Sequence, residues 1–526
     1  MFFVKSGGIL SMFLYFLQRN HQKKFKLFDY LYQHINSSGP LSTLSDLIDE
    51  DDQTLQRYIN ELNMQMSAIN DGSHTLIKKH GPEYYELVTE NKNCHKLYQA
   101  IKKDYIEQSN TYQLCLFICC NKKITLNRLI DELGMSRSTV YKTLSQFNEL
   151  LAEFGLVLEK NEHDYYIFSG NERSIRIFQF NFFRSCLPID SWPFSFKKEK
   201  IKHYIPSKSF IPTPSKQLKR DFLLFNTVIY LRISQGHFIK TTLESVPYFR
   251  LEDDTYVFFN FKFLDRYFRK NQTKYIEQLT YQLYVFYLFP ELIPEKFVLK
   301  AGDSMTHCTK QEVVLLKQAL HDVTRTLAIR LTDEQFYFML FHLYVHFNIS
   351  LIMEVTKLNQ SELFSKLLTS WYLDEHQGVD PTLRTTQECV NNVFEGYFDS
   401  DTYRNINTVS ITNYLSQIML DLLQLVHEPV AHKHCLLVDF SSNYFKKRLF
   451  EKKIEQLYSG RITLTHNIDE ATIIVTNNQL IEADTHRTKV LYLHNVNHEE
   501  QLNACIGQLS SLINTTVPSI REARIS

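Results

Sequence analysis

The most regular pattern of apolar and polar positions in the chain lies between Thr125 and Phe168. A short apolar face is followed by Gly134, a residue type that often ends a helix, and by Ser136, which can cap the next one. Apolar side chains then recur at helical spacing. The apolar positions are Leu126, Leu129, Ile130 and Leu133, then Val140, Leu144, Phe147, Leu151 and Phe154. The pattern predicts two helices joined by a tight turn and followed by a hairpin.

The same pattern occurs upstream, where Leu55 corresponds to Val140, 85 residues later. The matching apolar positions of the longer helix are Leu55, Ile59, Leu62, Met66 and Ile69, and those of the shorter one are Leu44, Leu47 and Ile48. The pair Tyr84-Tyr85 likewise repeats as Tyr165-Tyr166. We call the segment from Leu44 to Tyr85 the first reader and that from Thr125 to Phe168 the second reader, because a helix-turn-helix with a hairpin is the shape of a winged DNA-binding module.

A recognition helix needs exposed polar side chains in its early turns, which enter the major groove. In the second reader these are Arg137, Ser138, Thr139, Tyr141, Lys142 and Ser145. Arg137 can donate two hydrogen bonds to a guanine edge or a phosphate, and Ser138 and Lys142 suit phosphate contacts. Lys122, Lys123 and Arg128 are expected to contact the flanking backbone, and the hairpin Leu156–Phe168 would be a wing with Lys160 near its tip.

The first reader offers a less favourable surface for DNA. Its expected contact residues are Gln53, Thr54, Gln56, Arg57 and Asn60 on the helix and Lys78, Lys79 and His80 on the wing. Its turn, however, is Asp49-Glu50-Asp51-Asp52, and four carboxylates repel phosphates unless they point away. We therefore expect the second reader to be the main one and the first to support it. The alternative is that one or both modules contact protein.

Charge and cysteine content add limits to this hypothesis. The chain has 58 basic and 58 acidic residues, and residues 1–170 have 18 basic and 20 acidic ones. Contacts with DNA must therefore come from local patches of positive charge. Residues 172–220 have 11 against 3, which we interpret as the entry to the next domain and a basic linker. The nine cysteines show no paired framework and indicate a reducing cytosol, with Cys115, Cys119 and Cys120 as small buried residues. No apolar run reaches the ~18 residues of a membrane span.

The first residues, Lys5 followed by the apolar stretch Ile9–Leu17, imitate a signal peptide but lack a cleavage site. We expect instead a helix that packs on the first reader, and initiation at Met12 is the alternative.

The order of these modules along the chain resembles the Mga/AtxA family of virulence regulators of Gram-positive bacteria. The resemblance rests on the two winged helices, on the aromatic segment Ile177–Phe196 with Trp192-Pro193-Phe194, on two helical blocks, and on a short α/β tail. It implies two PTS regulation domains (PRDs) and a tail similar to enzyme IIB of the sugar phosphotransferase system. The expected fold is mainly α and multidomain. Its expected parts are 1–95 and 96–171 (winged helices), 172–295 and 296–425 (PRD-like bundles) and 433–520 (the enzyme IIB-like domain).

On the residues alone, the middle of the chain predicts only helical bundles, with Phe222–Ile233 and Phe336–Phe347 as the most hydrophobic helices. The resemblance implies phosphoacceptor histidines, which need an accessible neutral imidazole. The candidates are His237, His342 and His346, with His307 and His321 less favoured. His342 and His346 are equally compatible with a buried core. They could also ligate a metal, but no third ligand is evident.

The tail alternates strand and helix, which predicts a small parallel sheet. The expected elements are strands at Cys435–Phe440, Ile462–Leu464, Thr472–Thr476 and Val490–Leu493 and helices at Tyr444–Tyr458 and Glu499–Ile513. An enzyme IIB carries phosphate on a cysteine in the loop after the first strand, whereas this loop is Ser441-Ser442-Asn443 and Cys435 lies at the other end of the strand. The resemblance then implies a dimerisation domain without transferase activity. His432, His434 and Cys435 are expected to be linker residues rather than a metal clip.

The expected function is therefore a cytoplasmic DNA-binding transcription regulator, a homodimer or higher oligomer on promoter DNA, controlled by a phosphocarrier protein acting on the PRDs. The alternatives are an RNA-binding antiterminator, which also contains PRDs, and a phosphotransferase component. An enzyme is not expected, and neither is a cofactor or metal, because no catalytic cluster or phosphate-binding glycine loop is evident among 14 glycines.

Overall fold

The computed structural model describes most of the chain. The described residues are 8–33, 39–69, 75–81, 83–89, 94–202, 215–239, 261–327, 329–355, 381–399, 407–426, 434–440, 444–458, 462–478, 488–493, 496 and 499–515. They are mainly helical and form two compact units, which we call unit 1 (up to Ser195) and unit 2 (from Phe196 onward). No helix among these residues is long and apolar enough to cross a membrane.

Unit 1 contains nine helices and five strands in its described part. The helices are α1 (Gly8–Phe16), α2 (Arg19–Gln33), α3 (Leu41–Ile48), α4 (Asp52–Ile69), α5 (Cys94–Glu107), α6 (Asn110–Cys120), α7 (Leu126–Leu133), α8 (Arg137–Ala152) and α9 (Glu172–Cys186). The strands are β1 (Gly39–Pro40), β2 (Thr75–His80), β3 (Tyr84–Thr89), β4 (Val157–Lys160) and β5 (Tyr166–Ser169). They form two antiparallel sheets with the orders β1-β3-β2 and β4-β5.

Both readers have the predicted helix-turn-helix and hairpin. The side chain of Thr125 caps α7, Gly134 ends it at a φ of 62°, and the Ser136 hydroxyl accepts a hydrogen bond from the Thr139 amide at the start of α8. A left-handed φ suits glycine because it lacks a Cβ. The predicted apolar faces of α4 and α8 are buried, except for Ile69, which is 38% exposed. The local pattern was therefore sufficient to predict these modules.

The helices α1 and α9 correct three expectations. The ring of Phe16 on α1 packs 6.4 Å from Phe147 of the second reader and 4.9 Å from Phe182 on α9. Phe13 also packs against Phe25 on α2, so the ring contacts described for α1 are with α2, α9 and the second reader, whereas the sequence led us to expect packing on the first reader. Thirteen of the residues in α9 are buried, including Arg176, which pairs with Glu172 at 2.9 Å. The predicted boundary at 171/172 is therefore wrong, and residues 172–195 form part of unit 1 rather than a linker.

The helical part of unit 2 has eight described α-helices and three short 3-10 helices. The α-helices are α10 (Lys198–Lys202), α11 (Lys216–Ser234), α12 (Asn271–Leu288), α13 (Glu295–Thr306), α14 (Gln311–Thr326), α15 (Asp333–Val355), α16 (Pro381–Phe394) and α17 (Thr408–Val426). The two most hydrophobic predicted helices lie within α11 and α15. The helices α13 and α15 lie so close at Gly302 that only glycine fits there. A Cβ added to Gly302 would lie 2.1 Å from the Tyr337 carbonyl oxygen.

The C-terminal part of unit 2 is the predicted parallel sheet with helices. Its strands are β6 (His434–Asp439), β7 (Ile462–Leu464), β8 (Ile473–Thr476) and β9 (Lys489–Tyr492), in the order β7-β6-β8-β9, and its helices are α18 (Tyr444–Leu457) and α19 (Glu499–Thr515). All three strand pairs are parallel. The loop Ser441–Asn443 and His432 lie outside the described residues, whereas Cys435 lies near the start of β6, as the sequence predicts.

A buried polar cluster joins this α/β part to the helical part. The Lys447 ammonium of α18 lies 3.7 Å from Glu291, which precedes α13. Loss of hydration raises the pKa of Glu291 to about 7, and Lys447 opposes this shift. Burial also raises the pKa of Asp439 at the end of β6, whose carboxylate accepts a 2.8 Å hydrogen bond from Asn478, and the pKa of Asp421 on α17 to about 6. The α/β part is therefore packed on the bundle within one unit.

Candidate nucleic-acid interface

The recognition helix α8 of the second reader presents its polar side to solvent. Five of the six predicted contact residues are exposed, namely Arg137, Ser138, Tyr141, Lys142 and Ser145. Thr139 is half-buried, because its hydroxyl and amide bond to Ser136. The opposite face, with Val140, Leu144 and Phe147, is buried. Within the part of the chain that the structure describes, neither Arg137 nor Lys142 forms an ion pair with a carboxylate, and both side chains are exposed, so both charges are available to a ligand.

The wing of the second reader adds a charge next to this face. Lys160 donates a 3.0 Å hydrogen bond to Asp164, and its ammonium lies 5.7 Å from the ring of Tyr166. The hydrogen bond to Asp164 raises the pKa of Lys160, so the ammonium stays charged. Tyr141 also interacts electrostatically with Lys160 and Tyr166. The helix α8 and the wing therefore form one continuous surface. The side chain of Tyr141, which is 49% exposed, lies on this surface.

Arg128 is more occupied than the sequence suggested. Its guanidinium donates to the Lys122 carbonyl oxygen at 2.8 Å and to Asn121 Oδ1 at 3.1 Å, and it lies 5.2 Å from the ring of Phe117. These contacts join α7 to the end of α6. Because a guanidinium has five N–H donors, the half-buried side chain keeps donors for a phosphate.

The candidates of the first reader are partly engaged within the protein. Gln53, Arg57, Asn60, Lys78, Lys79 and His80 are exposed, and Thr54 and Gln56 are half-buried. Gln56 accepts a 2.6 Å hydrogen bond from the Tyr85 hydroxyl and donates to Asn60. Arg57 lies 3.9 Å from Glu61, and His80 lies 2.7 Å from Glu86. The first reader therefore has fewer exposed polar side chains without a partner in the described part of the protein than the second reader has.

The acidic turn of the first reader is explained largely by local structure. Asp51 accepts a 2.7 Å hydrogen bond from the Thr54 amide, which lowers the pKa of this carboxyl and caps α4. Asp52 accepts from Ser45 at 2.9 Å, and Glu50 pairs with Lys23 at 2.6 Å. Asp49 ends α3 at a φ of 51°. The sequence near this turn does not predict the ion pair of Glu50 with Lys23, because Lys23 lies on another helix, α2.

The histidines of unit 2 differ in their accessibility. His237 follows α11 in a half-buried turn, where its amide bonds to the Arg232 carbonyl oxygen at 3.0 Å. His307 and His321 are more exposed. His342 and His346 on α15 are each only 3% exposed. A phosphoryl donor cannot reach either ring in this arrangement, so of the two alternatives that the sequence left open the structure favours the buried core.

Both buried rings lie against α18 of the α/β part. His342 packs 6.1 Å from the ring of Tyr444 and 5.5 Å from that of Phe445. His346 Nδ1 shares a 2.7 Å hydrogen bond with the Tyr414 hydroxyl, and its ring is 5.4 Å from Phe445. Among the described residues no third His, Cys, Asp or Glu completes a metal site. These are therefore core histidines.

Their burial predicts a pH dependence of stability. Loss of hydration lowers the pKa of His342 to about 3 from an ordinary value near 6.5. Between these values the unfolded chain binds a proton that the folded chain does not, so stability is lost as the pH falls. Compared with His342→Leu, the wild-type protein should lose about 1.4 kcal/mol more for each pH unit between about pH 6 and 4. Urea denaturation of both proteins at several pH values measures this, and parallel curves would contradict it.

Comparison with known protein families places a helix-turn-helix match on the second reader. Residues 95–183 match the family model of the Mga helix-turn-helix domain. The matched range includes α5, α6, the whole second reader and most of α9, which agrees with the packing of α9 on this reader. A search of curated proteins found no matching relative. Between residues 95 and 183 the chain therefore contains a helix-turn-helix domain that is similar to the Mga helix-turn-helix domain.

Proposed function

We propose that this protein is a DNA-binding transcription regulator whose second reader makes the main contact with duplex DNA. The observation that carries this proposal is the exposed polar side of α8, with Arg137 and Lys142, in the segment that matches the Mga helix-turn-helix domain. The wing lysine, Lys160, would contact the backbone beside the groove. The first reader would add a weaker contact, because several of its polar groups already bond within the protein.

The test is binding of the full-length protein to genomic DNA. Sheared duplex from the source genome is mixed with the protein, and bound fragments are recovered and sequenced with and without a preferred sugar. We expect enrichment of a limited set of promoter fragments, with affinity that falls as salt rises, since released counterions drive phosphate contacts. Preferential binding of hairpin RNA would support the antiterminator alternative, and no preference for any fragment would overturn the regulator.

For regulation, we propose that His237 is the acceptor for a phosphocarrier protein and that the two helical blocks are PRDs. Support comes from the resemblance of the segment Arg232–His237 and from the half-buried position of His237, whereas His342 and His346 are sealed. A phosphoryl dianion there would change local packing through its charge. The substitution His237→Asp should alter promoter activity or oligomeric state, and no change in either would remove His237 from this role.

For assembly, we propose that the α/β part is an enzyme IIB-like domain that makes the protein a dimer and has no enzyme activity. Support comes from its all-parallel strand order, with β6 between β7 and β8, and from a loop sequence, Ser441-Ser442-Asn443, that has no cysteine. Dimerisation would place two pairs of readers on one DNA. Sedimentation of the full chain and of a chain ending at residue 432 would compare their masses, and an unchanged dimer would reject this part.

A further inference from the structure

An asparagine on each recognition helix bonds to the wing of its own reader. In the second reader, Asn148 Nδ2 donates to the Leu158 carbonyl oxygen at 3.1 Å, and Asn148 Oδ1 accepts from the Leu158 amide at 2.7 Å. In the first reader, Asn63 makes the same two bonds to Ile77, at 3.0 and 2.7 Å. The two asparagines are 85 residues apart, which is the offset of the apolar repeat.

The chemistry of these two strands explains why asparagine stands there. β2 and β4 are edge strands, so one side of each has no strand partner within its sheet. Leu158 and Ile77 are each only 3% exposed, and buried backbone N–H and C=O groups need partners. A carboxamide carries a donor and an acceptor on one planar group, whereas aspartate has no donor and alanine has neither. The side chain thus replaces a neighbouring strand.

The two connections differ in length but reach the same geometry. Ile77 comes fourteen positions after Asn63, and Leu158 comes ten positions after Asn148. The second connection turns at Gly155, with a φ of 62°. Loops of unequal length would not by themselves hold both hairpins in the same position against their helices. The paired hydrogen bonds of the asparagine are the feature that the two readers share where the recognition helix meets the wing.

We propose that Asn148 and Asn63 are positioning residues that fix each wing against its recognition helix, and that Asn148 thereby sets the distance between Lys160 and the DNA-contacting turns of α8. This inference rests on the proposed DNA binding. Lys160 lies two residues after Leu158 on β4, so the bonds of Asn148 fix the strand that carries it. Asn63 acts in the same way on Lys78 and Lys79, which come directly after Ile77.

The test uses the full-length protein with Asn148→Ala and a labelled duplex fragment that the wild-type protein binds. We expect about tenfold weaker binding, because without these two hydrogen bonds the free energy of ordering the wing must be supplied on binding. Asn391→Ala, at an exposed position of α16 in unit 2, is the control and should bind like wild type. In a Lys160→Ala background, Asn148→Ala should cost about threefold or less, because the wing contact that it positions is already gone.

Hydrogen exchange measured by mass spectrometry gives a readout that needs no DNA. In Asn148→Ala the peptide that contains Leu158 should exchange faster, while peptides of α7 and α8 should not change. If exchange rises throughout the reader, Asn148→Asp replaces it, because this nearly isosteric variant keeps the acceptor for the Leu158 amide, while its carboxylate cannot donate to the Leu158 carbonyl oxygen.

The outcomes separate the two proposals. If the wild-type protein binds no duplex, the proposal that it is a DNA-binding regulator is overturned. Hydrogen exchange of the Leu158 peptide then tests by itself whether Asn148 holds the wing on the recognition helix. If the wild-type protein binds and Asn148→Ala costs the same factor with and without Lys160, the positioning role is overturned. Unchanged exchange at Leu158 would also overturn it.

Discussion

Replacing Arg137 and Lys142 together with alanine should weaken binding to a cognate duplex by about two to three orders of magnitude. Both side chains are exposed on the polar side of α8, in the early turns that enter the major groove. An arginine that donates two hydrogen bonds to a guanine contributes about 1–3 kcal/mol, and a lysine on a phosphate contributes through counterion release. Fluorescence anisotropy with a labelled promoter fragment, at several salt concentrations, measures both effects.

The salt series separates these charges from a general loss of structure. The slope of log affinity against log salt should fall by about one for each phosphate contact that is removed. A matched control, Lys270→Ala with Lys296→Ala, removes two exposed positive charges from unit 2 and should leave affinity and slope unchanged. Equal affinities of the two double variants would mean that α8 is not the recognition helix.

Replacing Lys447 with methionine should destabilise unit 2 by about 4 kcal/mol. The Lys447 ammonium is buried and interacts with three carboxylates, those of Glu291, Glu451 and Asp439. These opposite charges raise the pKa of Lys447 against the effect of burial. Without the ammonium, buried negative charge is left uncompensated, which costs more than the pair itself contributes. Urea denaturation, with hydrogen exchange of α18 peptides to identify the unit that unfolds, measures the change.

Two further variants test this explanation. Lys453→Met removes an exposed lysine from the same helix and should change stability by no more than about 0.5 kcal/mol. Adding Glu291→Gln to Lys447→Met should recover part of the loss, because one of the uncompensated carboxylates is then neutral. If Lys447→Met unfolds at the same urea concentration as Lys453→Met, the buried cluster does not hold the α/β part on the bundle.

The features that the sequence predicted correctly depend on short stretches of chain. The cap at Ser136, the left-handed Gly134 and the apolar face of α8 follow from neighbouring residues, and so do the strands and helices of the α/β part. The repeat also contained the pair Asn63 and Asn148, but a comparison of apolar positions alone does not show it.

The features that it missed depend on distant partners. The charged residues of α9 predicted a linker, yet Arg176 is buried beside Glu172 because the rest of the helix packs on the second reader. The sequence left His342 and His346 open between a core and an acceptor site. Their surroundings are decided by Tyr444, Phe445 and Tyr414, which come from α18 and α17 and lie about 70 to 100 residues away.

The interior of unit 2 holds both histidines and carboxyl groups. As the pH falls, the two kinds of group change the stability of the fold in opposite directions. His342 and His346 favour the unfolded chain as the medium becomes more acidic, since only there can they take up protons. Glu291, Asp421 and Asp439 act in the opposite direction, because burial raises their pKa values and each takes up its proton at a higher pH in the folded chain than in the unfolded chain. The wild-type protein should therefore lose less stability on mild acidification than the two histidines alone would cause, and single substitutions would reveal the individual slopes.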